Sequence, residues 1–393
     1  MPRSNLQIIA HVSIPTHLIS QVQSKLAYVD EDIAGASISA DGKLINLQLH
    51  NSANKERLEE KVQRVVAEMA KGAMQPKVEI LEDHLDRKIH YAADPMAELL
   101  ARGEVSQEHN GIYSFGPLVT RLIEVCEKYF LEIAEDFEAK PQRFPTLISA
   151  EKLGRVNYFR AFPHSLTFAT HLREDLDVIN EFAEKTIYEQ DGLNAKAESF
   201  SRIQALLSPA VCYHLYFALA DKRLHDGQLA ATAVGHCFRY ESNNLNTLER
   251  MWDFTMREII FVGAADFVLA NRERGRKQVE ELFERIGLAY QLESANDPFF
   301  VGEFRKQAAF QNAFQLKYEI RALLPFKNET LAVGSYNYHQ DFFGRNLNIS
   351  LPDGKPAHTG CVAFGLERLA YAFLCQFGLE AANWPAAVSE ALG

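Results

Sequence analysis

Three runs of alternating residues do most to limit the folds open to this chain. In TAVGHCFRYESNNLNTLERMWDFTMREIIFVG, residues 232–263, two period-two stretches flank the polar segment SNNLNTLE. In HTGCVAFGLERLAYAFL, residues 358–374, an alternating run passes through Gly365 into a helical pattern. Alternation with period two gives strands with two distinct faces, and two such runs joined by a polar loop read as a long hairpin. The expectation for this half of the chain is a largely antiparallel sheet with helices around it, an α+β arrangement.

The N-terminal end has a different rhythm. Residues 6–12 read as a strand, 15–28 as a helix, and IAGASISADGKLINLQL as two strands turning at Asp41-Gly42. Leu58, Val62, Val65, Val66 and Met69 recur at helical spacing over 54–71, and PKVEIL at 76–81 reads as a closing strand. The order βαββαβ predicts a small ferredoxin-like domain over residues 1–85. A charged connector over 86–110 leads to a larger domain, 111–393, that opens with the amphipathic stretch PLVTRLIEVCEKYFLEIAEDF and the extended KPQRFPTLIS. A chain of 393 residues is long enough for two cores.

The formal net charge of -11 argues against a general binder of phosphate backbones, while a local basic patch stays open. No apolar run reaches the length of a membrane span, and MPRSNLQ lacks a signal-peptide pattern, so a soluble cytoplasmic protein without membrane partners is expected. Five widely spaced cysteines, Cys126, Cys212, Cys237, Cys361 and Cys375, do not suggest a disulfide framework. Metal ligation and plain burial remain for them.

Strand parity then brings chemistry together. Arg239 and Glu241 share a face of the first strand, and Arg250, Trp252, Phe254, Met256 and Glu258 share a face of the second. Guanidinium forks grip phosphate oxygens and a flat ring offers a base a stacking surface, so the set suits a nucleotide. A solvated face laced by ion pairs is the alternative. In the third run Thr359, Cys361 and Ala363 share a face, Gly365 marks the entry to the helix and permits close backbone approach, and Arg368 falls in the first helical turn. A glycine turn with a surface arginine reads the same residues more plainly.

Together FRYE, the loop, RMWDF and the glycine-bearing strand leading to Arg368 resemble motifs 2 and 3 of class II aminoacyl-tRNA synthetases. The helix and extended piece ending near Pro145 resemble motif 1, which in that family forms the interface of a homodimer. Within the class, FPTLISAEKLGRVNYFRAFPHSLTF, LLSPAVCYHLYFAL, SYNYHQDFFGRNLNI and HTGCVAFGLERLA are similar to the metal-dependent branch: archaeal-type seryl-tRNA synthetases and their shortened relatives, the amino acid:carrier-protein ligases. The resemblance covers roughly 110–390 and leaves residues 1–85 outside.

The resemblance implies a Zn2+ ion held by Cys212, Glu258 and Cys361 with its fourth position open, as in catalytic zinc sites. It also implies ATP as substrate. Arg239 is expected at the α-phosphate, Arg250 and Arg368 at the β and γ end, and Phe254, Gly365 and Arg368 around adenine, with Glu241 in support and Mg2+ bridging the phosphates. The activated product is an aminoacyl-adenylate of a small amino acid, glycine, alanine or serine. The expected acceptor is the phosphopantetheine thiol of a carrier protein rather than tRNA. A zinc-dependent seryl-like synthetase and a non-catalytic synthetase paralogue are the other readings. Cys237, His164, His214, His236 and His339 are rival ligands.

Two features depart from the family pattern. Ala363 stands where a glycine is usual, and the acidic Mg2+ ligand expected shortly before Ser335 and Asn337 is missing, Glu329 being the nearest candidate.

Overall fold

The computed structural model describes residues 4–50, 54–70, 78–189, 192–245, 247–295 and 316–392. They fall into two compact units, one of Met1–Glu79, Gln107–Ile112 and Tyr240–Trp252, the other of Ile80–Ser106, Tyr113–Arg239 and Asp253–Gly393.

In the smaller unit β1 (Ser4–Ile9), β2 (Ile33–Ile38) and β3 (Leu44–Leu49) form an antiparallel sheet in the order β1-β3-β2, with α1 (Ile19–Leu26) and α2 (Lys55–Ala70). The expected turn at Asp41-Gly42 is present. Gly42 has φ +68, and a Cβ there would meet the Ile14 carbonyl oxygen at 2.0 Å, so no other residue fits. Asn54 caps α2 by accepting from the Arg57 N–H at 3.1 Å. Leu58, Val62 and Val66 of α2 then meet Ile8, Ile45 and Leu47 of the sheet in one core.

Of the expected closing strand at 76–81, residues 76–77 lie outside the described residues, and none of the rest joins this sheet. The strand that forms is β4 (Ile80–Asp83), and it pairs at the edge of the large sheet of the other unit. Its side chains explain the choice: Glu82 is ion-paired with Arg276 and accepts from the Tyr290 hydroxyl at 2.7 Å, both within that larger unit. The βαββαβ reading is therefore one strand too long among the described residues, and Ile80–Ser106, which includes most of the expected connector, belongs to the larger unit.

Among the described residues, that unit is built on an eight-stranded sheet. With β5 (Lys140–Pro141), β6 (Leu229–Phe238), β7 (Asp253–Gly263), β8 (Tyr290–Ser294), β9 (Lys317–Leu324), β10 (Glu329–Gln340) and β11 (His358–Gly365), the order is β4-β8-β9-β10-β11-β7-β6-β5. All neighbours are antiparallel except β5 and β6. Between β4 and β5 the chain forms α3 (Pro117–Asp136), the amphipathic helix expected over 117–137, with Pro117 at its first position.

One face of the sheet is closed by helices. Phe130 of α3 stacks on Phe364 of β11 with ring centroids 3.5 Å apart, and Gly275 of α4 (Ala265–Arg285) lets Val362 approach so closely that a Cβ would lie 2.9 Å from it. Helix α5 (Leu366–Phe377) continues directly from β11 and is buried over most of its length. The residues alternating with Val362 and Phe364, namely Cys361 and Ala363, therefore point to the opposite face.

Candidate functional site

Directly paired residues in an antiparallel ladder share a face, so register alone maps this second face. One row reads Ala233, Glu258, Ala363, Ser335, Glu319, Glu293 across six strands. The next reads Ile260, Cys361, Asn337, Lys317. On the other side of the first row lie Gly235, Met256 and Gly365, followed by Cys237 and Phe254. The short helix Cys212–Ala218 supplies Cys212 to the same apolar cluster as Ile260, Cys361 and Ala363.

Cys212, Glu258 and Cys361, distant in sequence, are brought together here, each offering a ligand atom within 4.8 Å of the others. All three are buried, Glu258 to 1% exposure. Its Oε1 accepts from the Val211 N–H at 3.0 Å and the Cys212 N–H at 3.3 Å, whereas Oε2, equally buried, has no partner. A buried carboxylate oxygen left so costs about 1–3 kcal/mol or more.

The Cys212 thiol is pushed well up by its hydrogen bond with Cys361, by burial and by the Glu258 charge. For Cys361 the bond with Cys212 and the amide of Asn337 act in the opposite direction, yet burial and Glu258 prevail and it is raised too. Three electron-rich donors that repel one another's charge around an orphaned oxygen fit a thiophilic divalent cation, and three protein ligands leave a tetrahedral position open.

The rival ligands stand apart from this triad. Cys237 packs with Val211 and Ala233 in a separate apolar cluster. His236, on the sheet's other face, has Nδ1 2.8 Å from Asp253, and His339 lies 3.2 Å from Thr359. His214 stacks on Phe144 beside Ser208, and burial with the nearby Lys152 charge lowers it to about 4. All five cysteines are free thiols. A second group, Glu82, His84 and Glu280, gathers ligand atoms as closely, but Arg276 already neutralises Glu82 there.

Phe254, Met256 and Glu258 share a face as expected. Arg239 lies just past the end of β6; its Nε donates to the Pro209 carbonyl at 3.0 Å and its guanidinium sits 5.5 Å from the Phe254 ring centre. Arg368 occupies the first turn of α5 and donates to the Ala332 carbonyl at 3.4 Å. Gly365 departs from expectation in one respect: its φ is -86, and a Cβ would meet protein atoms only at 3.9 Å, so the chain's own packing does not demand glycine.

Arg250, Trp252 and Glu241 are not strand residues. The Arg250 N–H bonds to Thr247 and the Trp252 N–H to Gly111 at 2.7 Å, which draws their backbone out of the ladder before Asp253. They belong to the smaller unit, where Arg250 is ion-paired with Glu241.

Two further polar residues of the site escaped the sequence reading. Asn337 donates from Nδ2 to Ser335 Oγ at 2.9 Å and to Cys361 Sγ at 3.5 Å. Glu319, across from Ser335, is half-buried between Lys317 and Arg321. The alternation in KYEIRALL offers a face for Glu319, but nothing in that segment gives its cross-strand partner. Glu329 is exposed and paired with Lys327.

No family model matches the chain. Amino acid–acyl-carrier-protein ligase 1 of Bradyrhizobium diazoefficiens is 32% identical over 304 residues, which cover 77% of this chain and 90% of that protein. Ligase 2 of the same organism is 34% identical over 277 residues, covering 69% and 80%. The type-2 serine–tRNA ligase of Methanococcus aeolicus is 26% identical over 328 residues, 81% of this chain and 63% of its own length. Among solved structures, M. kandleri SerRS in complex with A. aeolicus tRNASec has a TM-score of 0.74 at 20% identity, covering 99% of this chain and 77% of that one. That is a likeness of fold. Among the described residues no helix is long and apolar enough to cross a membrane.

Proposed function

The chain belongs to the amino acid–acyl-carrier-protein ligase family, and from that premise we propose that it activates a small amino acid with ATP and passes it to the phosphopantetheine thiol of a carrier protein. The observation that carries the reading is the buried triad of Cys212, Glu258 and Cys361 in one apolar cluster beside Arg239, Phe254 and Met256.

In such a reaction the amino acid's carboxylate attacks the α-phosphorus of ATP; the new C–O–P linkage forms as pyrophosphate leaves. The carboxylate is already a nucleophile, so no protein base is needed. Catalysis reduces to alignment and to neutralising charge as it develops. Arg239 suits the α-phosphate, because its Nε is held by the Pro209 carbonyl and its guanidinium lies against Phe254 and Met256 on the site's own face. Phe254 offers its ring to adenine, and the space above Gly365, into which no protein atom crowds, gives the base a floor. Arg368, at the helix start beyond that glycine, suits the far phosphates.

Cys212, Glu258 and Cys361 would hold Zn2+. Bound there, the ion supplies a Lewis-acid position for an unprotonated α-amino group, which selects amino acids over other carboxylates. For Mg2+, Glu319 replaces Glu329 as the acidic group, since it lies opposite Ser335 on the site's own face; the ion would bind in exchange for its pairs with Lys317 and Arg321. A carrier protein rather than tRNA as acceptor accords with the net charge of -11, and a homodimer is the assembly the family resemblance implies.

ATP–pyrophosphate exchange across the amino acids tests activation: exchange with one or two small ones is expected, and silence with all of them counts against it. Transfer of radiolabelled amino acid to holo-carrier protein against bulk tRNA then identifies the acceptor. Charging of tRNA with an unlabelled carrier would move the protein to the synthetase reading.

A further inference from the structure

The ladder between β7 and β11 stops abruptly. Met256 pairs with Gly365, and one residue later the partner chain turns into α5, so the next N–H of β7 on that side, from Thr255, has lost its strand neighbour. A buried N–H without an acceptor is costly. The gap is closed by Glu367, the second residue of α5, whose Oε1 and Oε2 lie 2.9 and 2.8 Å from the Thr255 nitrogen.

The carboxylate thus takes the place of the carbonyl that β11 no longer offers. It does so while only 6% exposed. Burial raises its pKa, opposed by its bonds to Thr255 and by the nearby His236. An apolar residue of the same shape would leave the Thr255 N–H without an acceptor, so the carboxylate's role there is the connection it makes. On one side of the bond, Thr255 is flanked by Phe254 and Met256, both pointing to the opposite face, where Arg239 lies against them. On the other, Glu367 is followed directly by Arg368.

We propose that Glu367 is a positioning residue for the nucleotide end of the site, tying the strand that presents Phe254 to the helical turn that presents Arg368. The assignment rests on the ATP-activating reading above. Glu367 touches no substrate; it fixes the spacing between the ring that stacks the base and the cation that meets the phosphates.

The test compares Glu367→Met, nearly the same shape without an acceptor, with Glu367→Gln, whose amide oxygen still accepts from Thr255. Loss of the acceptor is expected to raise KM for ATP about tenfold, with KM for the amino acid within about twofold of wild type, zinc content unchanged, and most of the loss restored in the glutamine variant. An unchanged KM for ATP in Glu367→Met overturns the proposal. So does a parallel rise in both KM values, or a glutamine variant as impaired as methionine. If Glu367→Met does not fold, Glu367→Asp, one methylene shorter, replaces it with the same expected direction. The shift in melting temperature on adding ATP, read without amino acid, keeps the two ideas apart: wild-type protein that binds ATP yet shows no exchange sinks only the activation reading.

Discussion

Glu258 holds the start of the helix that carries Cys212: its Oε1 accepts from the Cys212 N–H at 3.3 Å, while its Oε2 is left buried and unpartnered beside two thiols. One oxygen builds the site and the other is available to it. Glu258→Gln keeps an acceptor for the backbone but removes the anionic ligand, and Cys361→Ala removes a thiolate. Both are expected to lower zinc affinity by about 100-fold or more, since even outer-sphere changes cost ten to a hundred. Metal analysis of purified protein, with circular dichroism to confirm the fold, checks this; full zinc occupancy in either variant rules the triad out.

Asn337 supports the same site from the neighbouring strand by donating to Cys361 Sγ. Asn337→Ala should weaken metal retention by about tenfold without unfolding the protein. Zinc release to a chromogenic chelator, and the thiolate charge-transfer band of the cobalt-substituted protein, report on the bond directly. Release at the wild-type rate means the amide does not act on the thiolate.

Arg239 is held at Nε by Pro209 and lies against Phe254 and Met256, which fixes its guanidinium on the site's face. A lysine cannot make the Nε bond, stack and grip phosphate at once. Arg239→Lys is expected to reduce kcat for exchange about 100-fold while zinc stays bound. A loss below about fivefold would show that the guanidinium is not at the reacting phosphate.

Glu319 and Glu329 make opposite predictions for Mg2+. If the row through Ser335 carries the ion, Glu319→Gln should raise the Mg2+ concentration for half-maximal exchange about tenfold, and Glu329→Gln should leave it unchanged. The Mg2+ titration of the two variants decides it, and a shift confined to Glu329→Gln reverses the assignment.

In the smaller unit the Lys61 ammonium bonds to Asp30 and holds that carboxyl below its ordinary value of 3.8. A depressed folded-state pKa stabilises above the unfolded value and loses that contribution as pH falls through the folded one. Partial solvent screening limits it to less than about 1 kcal/mol. Asp30→Asn should therefore melt slightly earlier than wild type at neutral pH, with the difference shrinking in acid as the pH falls below the ordinary value of 3.8. Melting curves at the two pH values measure it; a difference that persists in acid points to packing instead.

The sequence by itself determined the strands, the helix faces and much of the site's face, because these are local properties. Parity placed Phe254, Met256 and Glu258 together, Gly365 marked where a strand becomes a helix, and α3 was readable from its apolar spacing. The triad of Cys212, Glu258 and Cys361 was named from family resemblance; no spacing along the chain implies it. Tertiary structure alone decided what depends on which strands lie side by side. Register set Glu319 opposite Ser335 and Asn337 opposite Cys361, the end of a ladder gave Glu367 its backbone partner, and β4 joined the sheet that could neutralise Glu82. Arg250 and Trp252 continued the alternation on paper yet left the strand, because hydrogen bonds to Thr247 and Gly111 hold their backbone outside the ladder, and no residue's own pattern records a bond to a distant carbonyl.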